Sequence, residues 1–284
     1  NDGTAEITES TISNNLVSGR TGSGGGVANG SNGTLTLTEV DVLDNAAAGN
    51  GLIAGGGIAN FGSAEITGGE VARNFANDLS VDGGDPGASG YGGGLFNIAE
   101  ATVTGTVFSQ NRSTEIGGGV ANVTQFDFVP GGPFPVAGFA FQRAGSLSTD
   151  VEIGTAAELD IDGATFFNNT AIDGAGLSNQ GYAEITGSTF NANVADDSGG
   201  AVFSDWLTAI SDETSAVSLR GGLATFISGS AFFGNEATDG GAIAVEGFGD
   251  TLVVDTILRD NAASGDGGAI YVRVTNDLAA LILY

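Results

Sequence analysis

Four aspartates, Asp173, Asp197, Asp239 and Asp266, stand just ahead of recurrent glycine-rich turns, with Asp197 one position further out than the other three. Carboxylates and carbonyls gathered in turns are the ligands that Ca2+ takes, so these residues are the candidate metal ligands and Ca2+ the candidate cofactor. Neither an EF-hand nor a calcium-binding nonapeptide accompanies them, and a solvated acidic face is the competing reading. Chemistry on a polysaccharide would need paired carboxylates, or a carboxylate cluster beside a basic side chain. The nearest approach is Asp205 and Asp212 in one interruption of the sequence pattern, with Arg112 and Arg143 near another. There is no His and no Cys, which excludes Ser-His-Asp catalysis, His-ligated zinc and thiol chemistry. The seven basic residues are all Arg, so no Lys can serve as a base. The chain is expected not to be an enzyme, and no catalytic residue is assigned.

The elements that position these residues form a repeat. Eight times an apolar residue is followed three positions later by Asn, and then by a tetrad of three small residues and an aliphatic one. The Asn column is Asn15, Asn45, Asn74, Asn111, Asn169, Asn193, Asn235 and Asn261. Three residues before each stands Ile12, Val42, Val71, Phe108, Phe166, Phe190, Phe232 or Leu258; eight before stands Ile7, Leu37, Ile66, Val103, Ile161, Ile185, Ile227 or Val253. Within each unit apolar and polar residues alternate, as in short strands with one face inward. One unit cannot bury itself, so its strands must pair with those of the units above and below. The expectation is an all-β, right-handed parallel β-helix: a three-sided solenoid of about eight coils, forming one domain over residues 1–284. Insertions are assigned to 75–91, 123–156 and 204–222. The Asn column reads as a structural turn ladder whose stacked amides bond along the axis and tolerate left-handed backbone. A second amide row, Asn29, Asn60, Asn97, Asn122 and Asn179, breaks at Ser204.

The pairing of G-G-[AG]-[ILV] with F-x-x-N resembles the repeats of the polymorphic outer-membrane protein family and related right-handed β-helix surface proteins. Phe108 to Asn111, Phe166 to Asn169, Phe190 to Asn193 and Phe232 to Asn235 carry the second motif. Gly199-Gly200-Ala201-Val202, Gly240-Gly241-Ala242-Ile243 and Gly267-Gly268-Ala269-Ile270 carry the first. The resemblance implies a secreted or surface-displayed domain with adhesive or structural duty, and it brings no catalytic residues.

Charge narrows the partners. Thirty-four Asp and Glu against seven Arg give a formal charge of −27, which repels nucleic acid and anionic lipid. No apolar run is long enough to span a membrane. Glycans, other cell-surface components and further copies of the chain remain. Function on a solenoid tends to sit where the repeat is interrupted. The second interruption carries Phe126, Phe128, Phe134, Phe139 and Phe141, and the third the only Trp, Trp206. They are expected to leave one edge about 10 Å apart, two coil rises, and to form an aromatic contact patch. The competing reading is that these rings merely cover the rod. The sequence starts almost inside a strand at Ile7 and finishes on an apolar run through Leu278, Leu281, Ile282, Leu283 and Tyr284. Head-to-tail stacking into a filament is the expected use of these ends; excision from a longer rod is the alternative, and the lack of any Met marks a processed or partial chain. The expected function is an extracellular structural or adhesive subunit, with a polysaccharide-binding or lyase-like β-helix as the alternative.

Overall fold

In a computed structural model the chain is described over residues 1–19, 21–78, 89–124, 126–128, 151–153, 157–206, 223–247, 250–274 and 281–283. The described residues contain strands and turns but no helix. Successive coils stack as parallel strands, residue on equivalent residue, so the fold is a parallel β-helix. In the first coil the strands are Thr4–Thr8, Thr11–Ser13, Leu16–Gly19 and Val27–Asn29, and each begins a wall of the rod. The first wall has nine strands and ends at Leu281–Leu283; the second, third and fourth have eight each. A short ladder of Gly22–Ser23, Leu52–Ala54 and Ser89–Tyr91 bridges the third and fourth walls in three coils.

Three corners of each coil lie in left-handed backbone, which explains the regularity. One precedes every member of the Asn column: Asn14, Asp44, Arg73, Gln110, Asn168, Ala192, Gly234 and Asp260 all have φ between 53° and 59°. The left-handed residue is thus the neighbour of the ladder Asn, not the ladder Asn itself. The second corner runs from Glu9 through Gly68 and Gly105 to Asp255, and the third is the first glycine of every tetrad, Gly24 to Gly267. A fourth turn is made beside the second amide row, which divides the coil into four long walls where three sides were expected.

The inward columns build one continuous core. Leu37, Ile66, Val103, Ile161 and Ile185 face it from the first wall, and Phe108, Phe166, Phe190 and Phe232 from the second. The four rings stack along the axis with centroids 5.1, 4.4 and 4.7 Å apart and planes within 7° of parallel. Each such side chain contributes roughly 1.5–3 kcal/mol by leaving water, with ring stacking adding to it. A smaller apolar cluster, Ala54, Phe96, Ile98, Ile116, Ala121 and Val123, lies apart from that core, with Phe61 and Tyr91 packed against it.

Parts of the stretches assigned as insertions are placed in strands. Phe75–Asp78 pairs in the third wall and Ser89–Tyr91 in the short ladder, leaving 79–88 outside the described residues. Within 123–156, Phe126–Phe128 pairs antiparallel with Val151–Ile153. Ser204 to Trp206 stays in the fourth wall, paired with Val245 to Gly247. Apolar columns mark where a coil must be; they do not say how far a strand runs past them.

Glycine substitutions separate two kinds of tight position. At Gly105, with φ +61° and nothing near its absent side chain, Ala should cost about 1–2 kcal/mol from backbone strain alone. At Gly93 an added Cβ falls on the carbonyl oxygens of Arg112 and Gly118, both in the next coil. Denaturant titration should show a clearly larger loss for Gly93→Ala than for Gly105→Ala.

Candidate functional site

The eight asparagines form a saturated amide ladder. The Oδ1 of Asn74 accepts from the backbone N–H of Asn45 at 2.9 Å and from its Nδ2 at 3.1 Å. Nδ2 of Asn74 donates backwards to the Val42 carbonyl at 2.7 Å, and its own N–H and Nδ2 pass forwards to Oδ1 of Asn111. The same set recurs at Asn111, Asn169, Asn193 and Asn235. The backward bond goes to the residue three before the preceding Asn. The spacing of F-x-x-N is therefore a hydrogen-bond spacing as well as a packing one. From Asn45 to Asn235 every member is buried with its polar atoms paired, so this column has nothing left to offer a substrate.

The second row works differently. Asn29, Asn60, Asn97, Asn122 and Asn179 pass Nδ2 to Oδ1 along the axis at 2.8–2.9 Å. Nδ2 of Asn60, Asn97 and Asn179 also reaches the carbonyl two residues on, closing a local turn. Asn1 joins this row, donating to Asn29 Oδ1 at 3.0 Å. The sequence carried that signal, because Asn1 precedes Ile7 by the same interval that separates Asn60 from Ile66. Beyond Asn179 hydroxyls take over: Nδ2 meets Thr225 Oγ1 at 2.9 Å, and that hydroxyl pairs with Ser204. Val245 and Val272 then occupy the column. Without the amide the turn is not made, and the fourth-wall strands lengthen from three residues to five at Val202–Trp206, Ile243–Gly247 and Ile270–Val274.

Two of the four aspartates proposed as metal ligands staple turns together. Asp173 Oδ1 accepts from the Ser198 N–H at 3.0 Å, and Asp239 Oδ1 from the Asp266 N–H at 2.7 Å. Among the described residues no group of three or more carboxylates lies close enough to hold a metal ion. Asp173 nevertheless stands in an unusual place. Burial pushes its carboxyl up to about 6; the Ser198 N–H opposes this, while Asp197, Glu246 and Glu115 reinforce it. Glu115 and Glu246 lie far away in sequence and only the stacking brings them near. By contrast, a hydrogen bond from Arg73 holds the exposed Asp44 below its usual range.

On the outer face of the first wall, Thr102, Asp160, Asp162, Glu184 and Thr186 line an open hollow of about 220 Å³. Register makes Asp160 and Glu184 direct neighbours, and Phe226 is the next residue in that outward column. The proposed aromatic patch falls largely outside the described residues. Phe134, Phe139 and Phe141 are not described, Phe126 and Phe128 are placed as strand, and Trp206 closes a fourth-wall strand.

The two end coils carry the less protected core positions. Ala5, Ile7, Ile12 and Val27 in the first coil, and Leu258 and Ile270 in the eighth, are only partly buried where their column mates are fully covered. Val253 is covered, since Leu283 of the last first-wall strand pairs with it. Leu283 itself is exposed, while Leu278 and Tyr284 lie outside the described residues.

Among known families, the Chlamydia polymorphic membrane protein repeat matches residues 255–273. The match is to the repeat. It spans the tetrad Gly267 to Ile270, one of those on which the resemblance was drawn, together with Leu258 and Asn261 of the apolar and Asn columns, and is consistent with a place at the cell surface. No curated protein and no solved structure matches the chain. No helix among the described residues is long and apolar enough to cross a membrane.

Two outcomes follow from the ladders and the buried carboxyl. Asn111→Ala leaves the Asn74 N–H and one of its two Nδ2 hydrogens without an acceptor and removes a donor from the Val71 carbonyl, about 1–3 kcal/mol for each orphaned donor. Asn15→Ala orphans no such acceptor-dependent neighbour, and urea unfolding should show a far smaller loss. For Asp173, a folded-state value near 6 above the ordinary 3.8 means that the native state holds a proton the unfolded chain has lost. Its contribution is full below about 3.8 and is lost as pH rises through 6, to at most about 3 kcal/mol. Asp173→Asn should flatten the melting temperature between pH 4 and 6 relative to the parent and raise it at pH 7; an unchanged slope would refute this account.

Proposed function

We propose that this chain is a non-catalytic structural and adhesive rod of the cell surface or an extracellular fibre, and that copies associate head to tail. The observation that carries the reading is that the amides repeated along the rod are spent on one another. What varies from coil to coil is the outer surface and the loops. A surface role also accords with the matched repeat.

End-to-end association draws on the polarity of the ladder. Asn261 holds its N–H and one Nδ2 hydrogen towards the next coil position, and Asn15 holds its Oδ1 towards the preceding one. Donors at one end meet an acceptor at the other only when both copies run in the same direction. Ile12 over Leu258 and Val27 over Ile270 would extend the core columns. Leu281–Leu283, already paired on Asp250–Val254, must move aside for Thr4–Thr8 of a second copy to dock there. A second reading, contact with a glycan, draws on the hydroxyl- and carboxylate-lined hollow at Asp160 and Glu184 with Phe226 beside it.

Negative-stain electron microscopy of the purified chain, with and without Ca2+, tests the first reading. Long unbranched fibres are expected, and dependence on Ca2+ would give the acidic turns a role in assembly. Discrete short rods in both conditions would overturn self-association and move the search to glycan-binding assays with Asp160→Asn and Glu184→Gln.

A further inference from the structure

Three Asn-Gly pairs occur in the described residues: Asn29-Gly30, Asn32-Gly33 and Asn50-Gly51. Such pairs can modify themselves, because the glycine offers no side chain to hinder attack of its amide nitrogen on the preceding side-chain carbonyl. The reaction needs a free, mobile asparagine and an unengaged glycine N–H. The stack removes both conditions at two of the three pairs. Asn29 is buried in the second amide row, and Gly30 N–H donates to the Asn1 carbonyl at 2.6 Å. Asn32 is exposed, but Gly33 N–H donates to the Gly30 carbonyl at 2.8 Å and Gly33 is buried.

Asn50 is different. It lies exposed in the bend between Ala46–Gly49 of the third wall and Leu52–Ala54 of the short ladder. Among the described residues its side chain makes no hydrogen bond, and Gly51 N–H has no acceptor. Three Asp-Gly pairs within the stack share the protection of the first two. The N–H groups of Gly163, Gly174 and Gly240 donate to carbonyls of the next coil at 2.9–3.0 Å.

We propose that Asn50-Gly51 is a site of spontaneous deamidation in the folded protein. The Gly51 nitrogen, losing its proton to water, forms a bond to Asn50 Cγ, and the side-chain nitrogen leaves as ammonia, giving a five-membered succinimide. Water then adds to one of the two ring carbonyls and breaks its bond to nitrogen, yielding aspartate or isoaspartate. No oxidant, reductant or enzyme enters the balance. The product adds a carboxylate to a chain already at −27. In the isoaspartate form it also lengthens the backbone by one carbon, next to Ile53, which is fully buried against Ala47 and Ala76. Modification would therefore loosen this corner while the ladders on the other walls stay intact.

Incubation of the full chain at mildly alkaline pH, followed by peptide mapping with mass and isoaspartate detection, tests the assignment. In the folded chain Asn50 should convert roughly tenfold or more faster than Asn29 and Asn32, since theirs requires local opening. In denaturant the three should convert at similar rates, and Gly51→Ala should slow conversion at Asn50 alone. Conversion of Asn32 or Asn29 as fast as Asn50 in the folded chain, or a rise in the Asn50 rate on unfolding as large as the rise at Asn29 and Asn32, would overturn it.

Discussion

Each interior asparagine of the first ladder accepts two hydrogen bonds on one oxygen and donates two from one nitrogen, all inside the rod, beside a residue held at positive φ. An amide buried in this way is tolerable only if every valence is filled, because each unpaired group costs about 1–3 kcal/mol. Filling them requires an asparagine at the same height in the next coil, and a carbonyl three residues before the previous one. The corner, the register between coils and the F-x-x-N spacing follow from that single requirement. A slip of one residue would break the three bonds that join successive coils and turn the phenylalanine column out of the core.

Stacking in register then imposes identity on other columns. The second tetrad position approaches the backbone of the next coil at two points so closely that even a methyl group has no room at Gly93 or Gly118. Only Ala175 departs from glycine there. The same logic works against charge, since like residues in register become direct neighbours and repel. On the first wall the outward column alternates Glu6, Thr36, Glu65 and Thr102, which keeps carboxylates two coils apart. At Asp160 and Glu184 the alternation stops, and it is there that the hollow opens. Beyond it Phe226 and Leu252 replace the acids altogether.

Much of this was legible because the period is a physical constraint written into every coil. Ile161, Phe166 and Asn169 could be assigned to core and corner from their columns alone. The shift of left-handed backbone to Asn168 was not, because six residue types share that column and no one type marks it. Nor was the fourth wall, whose turn depends on a local amide bond such as Asn60 to Gly62 instead of on glycine. The surroundings of Asp173 were invisible for a further reason: Glu115 and Glu246 meet it only through stacking of coils separated by insertions of unequal length. Periodicity reveals what every coil shares, and so it is silent on what a single coil does.

That silence bears on where function resides. The aspartates at the tetrad turns were candidate ligands because carboxylates and carbonyls gather in those turns, and two of them also serve the stack. Asp239 spends an oxygen on the Asp266 N–H, as Asp173 does on Ser198. The coils differ where a residue breaks its column: Glu184 directly after an acid and Phe226 after it on the outer face, and Val245 after an amide row inside the rod. Each break removes a constraint from one coil without disturbing the ladder on the opposite wall. A rod held together by one buried amide column can therefore change its surface coil by coil, whereas a globular core would have to be repacked around each change.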